Sequence, residues 1–276
     1  MGVEHALEGT RIWRPAALVA EVEVVEAPAT LRHFPPRLST TLGICRKSVE
    51  AHEARSDGER LAIPADAVIL RPPDCTWSSE TTRAAFVSID IATSQLPEDA
   101  GCDRMRWIDP MRLPEFDSAL HILRNAHSGL AAGAAVAMLV RAVSRQGFLS
   151  TRESAAEPSL SAMERGRDYL RANIHRNVQL SELANTCGTN VYLLLRRFRE
   201  RIGMTPHAYQ LQLRIAAARQ LLAIGTAPIE VASLTGFADQ SHFGRRFRAV
   251  VGVSPGEYAR QVRHSVSVTK PSRRST

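Results

Sequence analysis

From Val19 to Ile91 the hydrophobic positions recur mostly at period two. VAEVEVVEA alternates strictly, TLGICRKSVEAHEA loosely, and AVILRPP and AAFVSIDI are β-rich runs. Asp57-Gly58 favours a tight hairpin, and Pro35-Pro36 and Pro72-Pro73 punctuate the rest. Such a pattern predicts several short antiparallel strands in a small sandwich or barrel. After Pro114 the period lengthens. Phe116, Leu120 and Leu123 form one helical stripe, and AAVAMLVRAVSRQGFL is a second apolar helix. These helices either pack on the strands or form a self-association surface. Ser144–Ser161 is polar and reads as a linker.

Beyond it the period is helical almost throughout. SAMERGRDYLRANI is one helix. VQLSELANTCGTNVYLLLRRFRERIG reads as two short ones, with Ser181 capping the first, a bend at Gly188, Asn190 capping the second and Gly203 ending it. Thr205 caps a long helix that starts at Pro206 and stops at Gly225, with Ala216, Leu221 and Leu222 as core candidates. The design then recurs: Pro228 at a helix start, inward Val231 and Ala232, a turn at Gly236, a cap at Asp239, an end at Gly252 and a new start at Ser254-Pro255.

Charge divides the chain at the linker. Residues 1–155 hold 17 basic and 20 acidic side chains, and residues 156–276 hold 18 and 8. A net charge near +10 on the second part predicts a polyanionic partner, with nucleic acid ahead of an anionic membrane. No apolar run is long enough to cross a bilayer, since LAAGAAVAMLV is too short. The N-terminus lacks a basic stretch followed by an apolar one, so a cytoplasmic location is expected. Cys45, Cys75, Cys102 and Cys187 show no paired spacing, which argues for reduced thiols. His33, His52, His121 and His127 are scattered, so no metal, cofactor or catalytic residue is expected. Arg71 and Trp77 are candidates for lining a pocket.

TCGTNVYLLLRRFRERIGMTPHAYQ and LTGFADQSHFGRRFRAVVGVSPGEYAR align with one residue of offset in the turn. Both contain an apolar residue, Arg-Phe-Arg, Gly, Pro and Tyr at shared positions, giving an internal repeat of about fifty residues. Each copy reads as a helix-turn-helix. Leu194 and Phe198, and again Phe243 and Phe247, sit at i and i+4 on the inward face.

The second copy resembles the C-terminal signature of the AraC/XylS family of bacterial transcription regulators, through Gly236-Phe237, Asp239, Ser241, Phe243, Arg246-Phe247, Gly252, Pro255 and Tyr258. The resemblance spans roughly residues 160–263. It implies an α+β chain: an N-terminal cupin-like antiparallel β-barrel with helices, then an all-α domain of two helix-turn-helix units joined by a long helix. The corresponding division is a β-rich sensing domain at 1–110, a helical dimerisation segment and linker at 111–160, the tandem units at 161–263 and a disordered tail at 264–276. The family's units enter successive major grooves, so double-stranded DNA is the expected partner. A small effector, RNA polymerase and a second copy of the chain are further candidates.

On that geometry Tyr192, Leu195 and Arg196 in the first unit, and Gln240, Ser241, His242 and Arg245 in the second, are the expected base contacts. The Arg245 fork matches guanine O6/N7, and Gln240 matches an adenine edge. Arg199, Arg246 and Arg248 are the expected phosphate contacts. Two features depart from the family's usual pattern. Leu193 and Leu195 make the first reading helix unusually apolar, and Gly244 interrupts the second. The competing readings are a metal-dependent barrel enzyme targeted to DNA, with His33 and His52 as ligands, and an architectural DNA binder without a sensing role.

Overall fold

The computed structural model describes residues 10–15, 18, 21–48, 50–97, 100–101, 104–126, 128–151 and 162–267. The strands are β1 (Arg11–Trp13), β2 (Val22–Leu38), β3 (Leu42–Ser48), β4 (His52–Ser56), β5 (Glu59–Ile63), β6 (Val68–Arg71), β7 (Thr76–Ile91), β8 (Ala100–Gly101), β9 (Arg106–Ile108) and β10 (Ser150–Thr151). β1 to β7 and β9 form one antiparallel sheet in the order β1-β2-β7-β3-β6-β9, with β4 and β5 branching from β7. β8 and β10 pair separately.

Two long strands carry this sheet, in place of the uniformly short ones expected. β7 pairs with β2 along most of its length, with β3 through 85–91 and with β4 through 77–79. Bulges between Ala27/Thr30, Arg32/Phe34 and Phe34/Arg37 interrupt the β2–β7 register. A bulge bends its strand and increases local twist, which allows the two halves of one ribbon to serve different neighbours.

The expected cupin-like barrel is not what forms. The sheet is open, its path ending at β1 and β9, which do not pair with each other. Closure requires the two edges to meet in register. Here the β1 edge is taken by a helix of the C-terminal region, where the Ile12 amide donates to Gln261 Oε1 at 3.0 Å. Covering an edge with a helix blunts it without closing the sheet.

The period-two alternation sorts side chains between two faces. Val22, Val24, Leu42, Ile44, Val68, Leu70, Ile89 and Ile91 face α1 (Glu115–Asn125) and α2 (Gly129–Arg145). Phe116, Leu120, Leu123, Val136, Leu139 and Val143 on those helices complete this core. The inner stripes of α1 and α2 thus pack on the sheet. The intervening positions, Glu23, Val25, Cys45, Lys47, Ile69, Arg71, Phe86, Ser88 and Asp90, line a cavity on the other face.

The remaining helices are α3 (Ala162–Ala172), α4 (Leu180–Thr186), α5 (Val191–Ile202), α6 (Pro206–Ala223), α7 (Pro228–Leu234), α8 (Gln240–Val251) and α9 (Pro255–Ser267). α9 extends four residues into the segment expected to be a tail, and residues 268–276 lie outside the described residues. Two cores flank α6. Leu170, Leu183, Leu194, Phe198, Tyr209 and Leu213 form the first, and Leu222, Val231, Phe243, Phe247, Tyr258 and Val262 belong to the second. α6 contributes to both, with Ile215 and Ala218 also in the second. It therefore carries no single apolar stripe, as befits a helix packed on several sides. Of its three core candidates Leu222 is fully buried, while Ala216 and Leu221 are half-buried.

Candidate nucleic-acid interface

Each reading helix is set by a polar cap, a glycine stop and an aromatic anchor. Asn190 Oδ1 accepts from the Leu193 amide at 2.9 Å, and Asp239 caps α8 by accepting from the His242 amide at 2.6 Å. Gly203 (φ 76°) and Gly252 (φ 91°) end the helices in the left-handed region. Phe198 meets Tyr209 edge-on at 5.8 Å, and Phe247 meets Tyr258 in the same way at 5.5 Å. These pairs, caps and stops all repeat at a spacing of 49 residues. The α4 start differs from expectation. Its N-cap is Gln179, with no side-chain hydrogen bond, so Ser181 lies inside the helix. The turn at Gly236 leaves no alternative residue, because a Cβ there would stand 2.5 Å from the His175 carbonyl oxygen at φ 75°.

Leu194, Phe198, Phe243 and Phe247 are fully buried. With those faces turned inward, Tyr192, Arg196 and Arg199 form an exposed i, i+4, i+7 row on α5. Their 49-residue counterparts Ser241, Arg245 and Arg248 form the same exposed row on α8. Tyr192 is 74% exposed. Gln240 is exposed at the first turn of α8, and Arg246 is exposed beside the row.

Arg196, His242 and Arg246, all expected contact residues, already have partners within the chain. Arg196 Nε donates to Glu200 Oε1 at 2.8 Å, and that carboxylate pushes the guanidinium pKa up from its ordinary value. Exchanging one exposed partner for a base costs little, because solvent screens such surface pairs. His242 is half-buried, with its ring 5.6 Å from Phe237, and its Nε2 accepts from Arg246 Nε at 3.4 Å. Leu195 is half-buried beside a cleft that Leu180, Leu183 and Thr205 also line.

Leu195 and Gly244 are counterparts in the repeat. A Cβ built at Gly244 meets nothing within 4 Å, so packing inside the chain does not demand glycine. Gly244→Ala is therefore expected to stabilise the free protein by about 1 kcal/mol through helix propensity, read as a higher denaturation midpoint. An unchanged or lower midpoint would mean that this position is constrained in the free chain.

The seam with the sheet contains the residues that the sequence pattern did not reveal. Glu23, on β2, is buried between Arg14, Arg219 of α6 and Tyr258 of α9. Arg14 Nε and Nη2 lie 3.0 and 2.9 Å from Glu23 Oε2, and Nη1 donates to Gln220 Oε1 at 3.0 Å. The Tyr258 hydroxyl accepts from Arg14 Nη2 at 2.9 Å and donates to Glu23. Burial pushes the Arg219 pKa below its ordinary value. At the first unit, the Tyr209 hydroxyl accepts from Arg171 Nη2 at 3.0 Å, and Arg171 pairs with Asp74 of the sheet region at 2.5 Å. Thr76 donates to the Ile202 carbonyl at the end of α5. The only available signal was Glu23 itself, an acid between two inward valines, and alternation assigns it merely to the other face.

Among the described residues no group of three His, Cys, Asp or Glu side chains could hold a metal ion. His52 Nε2 stands 3.2 Å from the Lys47 ammonium. The His33 side chain, His127 and Cys102 lie outside what is described. No described helix is long and apolar enough to cross a membrane.

Two cores, each with a reading helix and both sharing α6, define a tandem helix-turn-helix domain. A family profile described as "Helix-turn-helix domain" matches residues 183–261. The C-terminal domain is similar to that of the AraC/XylS family. It is similar to the uncharacterised regulator YbfI of Bacillus subtilis, 39% identical over 104 residues, which are 38% of this chain and 36% of that protein. Similarity to the regulator GbdR of Pseudomonas aeruginosa is 27% over 205 residues, covering 69% of this chain and 53% of GbdR. The matches to the first relatives thus span little more than a third of their lengths. The fold is similar to that of apo ToxT from Vibrio cholerae, with a TM-score of 0.53 at 16% identity over 87% of this chain and 97% of ToxT. Unsaturated fatty acid-bound ToxT gives 0.50 at 14% identity over 92% and 94%.

Proposed function

We propose that the chain is a sequence-specific DNA-binding transcription regulator that catalyses no reaction. The observation that carries this reading is the repeated exposed row, Tyr192-Arg196-Arg199 and Ser241-Arg245-Arg248, on two helices held by one shared α6. The α8 row presents a guanidinium fork and, with Gln240, a carboxamide, both suited to base edges in a major groove. Tyr192, Leu195 and Arg196 are the base contacts of the first unit, and Gln240, Ser241, His242 and Arg245 those of the second. Arg199, Arg246 and Arg248 contact phosphates. In the first unit Leu195 offers a methyl-to-thymine contact in place of a hydrogen bond.

In this reading the region up to about residue 110 senses a small effector, residues 111–160 support a homodimer, and residues 161–263 read DNA in the cytoplasm. The fatty acid-bound ToxT, of similar fold, supports a sensing role for the sheet. RNA polymerase is the partner through which such a protein would act on transcription.

Selection of binding sites from random duplexes, followed by footprinting, tests the reading. A defined motif with two half-sites in successive major grooves is expected. Equal affinity for unrelated duplexes at moderate salt would establish an architectural binder instead. Arg245→Ala should lose about 1–3 kcal/mol of discrimination at one base pair while leaving the fold unchanged. If the variant selects the same motif with the same stringency, Arg245 does not read a base. Light scattering on the purified chain checks the homodimer, for which a monomer at micromolar concentration is the contrary result.

A further inference from the structure

The cavity between the sheet and the helical domain has a volume of about 130 Å³. Its sheet wall includes Phe34, Ile69, Trp77 and Phe86, and its opposite wall is built by α6 and α8, through Ile215, Ala216, Arg219, Val250 and Val251. At ~10–15 Å³ for each water-sized position, this space accommodates about ten non-hydrogen atoms.

Its charge does not balance. Among the described residues Arg37, Lys47, Arg71 and Arg219 line it, against Glu23 and Asp90. Glu23 is held by Arg14, Arg219 and Tyr258, and Asp90 Oδ1 by Arg71 Nη2 at 3.1 Å and Ser88 Oγ at 3.2 Å. Among the described residues neither Arg37 nor Lys47 has a carboxylate partner. The Arg37 and Arg71 Nε atoms are buried and have no hydrogen-bond partner. Lys47, itself buried, reaches the His52 ring nitrogen at 3.2 Å and the Phe34 face at 5.4 Å. Arg37 lies over the same ring at 5.5 Å, and Arg71 over Trp77 at 4.7 Å. Burial and the Arg71 charge bring Arg37 down to about 10, and burial pushes Lys47 down as well. Buried charge of one sign without a counter-ion is costly, and an anion entering the space removes that cost.

We propose that this cavity is a ligand site for a compact monocarboxylate, with an apolar body of about eight carbons and its carboxylate held by Arg37 and Lys47. The aromatic and aliphatic walls suit the body, and the paired Arg71–Asp90 and Glu23–Arg219 groups leave no place for a second anionic group. Because Val250 and Val251 are the last residues of the second reading helix, the ligand touches the DNA-reading element directly. Coupling to DNA follows from that wall and rests on the regulator reading. Acid binding itself does not.

The test is titration calorimetry on the full chain without DNA, using octanoate and 3-phenylpropionate as probes. 1-Octanol serves as the neutral analogue, inorganic phosphate as the anion without an apolar body and oleate as the long acid. At least one compact acid should bind at a single site, with octanol and oleate at least tenfold weaker and phosphate silent. Arg37→Gln and Lys47→Met should each weaken that acid at least tenfold. Each should melt at or above the wild-type temperature, because a buried unpaired cation is removed. Absence of acid binding, equal binding of octanol, phosphate or oleate, or full affinity in both variants would overturn the site. With the acid saturating, the DNA dissociation constant should shift at least fivefold. An unchanged constant would overturn the coupling, whereas failure of the acid-free protein to select any DNA motif would overturn the regulator reading alone.

Discussion

Glu23→Ala is expected to destabilise the protein by about 3–5 kcal/mol, since removing one partner leaves other buried charges uncompensated. Arg14 is buried with Glu23, and the Arg219 guanidinium points at the same carboxylate. Both cations would lose this carboxylate, and the Tyr258 hydroxyl would lose its acceptor. The three groups come from the N-terminal end of the sheet region, from α6 and from α9, so the loss is expected to separate two transitions in chemical denaturation. The sheet with α1 and α2 should melt apart from the tandem helix-turn-helix. Replacing charge by apolar volume on both sides, as Glu23→Leu with Arg219→Met, should recover part of the loss, because such exchanges of buried pairs are often neutral or better. A Glu23→Ala protein with the wild-type midpoint and a single transition would show that this knot does not join the two regions.

Phe247→Ala is expected to cost about 3–5 kcal/mol, the range for truncating a fully buried aromatic. Phe247 stands 5.5 Å from Phe243 and 5.5 Å from Tyr258, both edge-on, and such pairs add about 0.5–1.5 kcal/mol beyond their area. The damage should be local. Hydrogen exchange should accelerate in α7, α8 and α9, while α3, α4 and α5 keep their protection, since the first unit has its own core around Phe198. DNA binding should fall with the loss of α8, and Phe247→Leu should retain much of both properties. Unchanged protection in α8 would mean that Phe247 does not hold the reading helix down.

These two residues differ in how visible they are before folding. Phe247 announces itself, because it repeats Phe198 at the same distance from a capping residue, a glycine stop and a Pro-x-x-Tyr. Helix periodicity and caps are local, so the units, their inward faces and the outward rows at Tyr192 and Arg245 were readable from the chain alone. The exception was Ser181. The helix begins two residues earlier than a Ser181 cap would place it, with Gln179 as its N-cap. The strands between Val19 and Ile91 were legible in their alternation, yet β2 and β7 are long, since the β2 bulges let the chain continue through irregular stretches that look like breaks.

Glu23 has no such signature. A glutamate at an alternate strand position reads as solvent-facing, and only the docking of α6 and α9 turns it into a buried acid. Lys47, Arg37 and Arg71 follow the same logic. The sequence marks Arg71 and Trp77 as pocket candidates, but only the opposite wall turns Arg37 and Lys47 into buried cations of a shared cavity. Barrel closure was misjudged for a related reason. Alternation tells which face a residue takes and is silent on whether two distant edges pair, and here α9 occupies one of them.

By itself the sequence determined the tandem helix-turn-helix, its anchors, its stops and its basic outer rows. All of these follow from contacts within about fifty residues and from repetition. The tertiary structure alone decided that the sheet stays open, that its second face closes on α6 and α8, and that buried charges sit in the seam. Those outcomes depend on groups some two hundred residues apart, as Glu23 and Tyr258 are. No local periodicity records such a meeting, because it arises only when two separately folded surfaces exclude water from the same place.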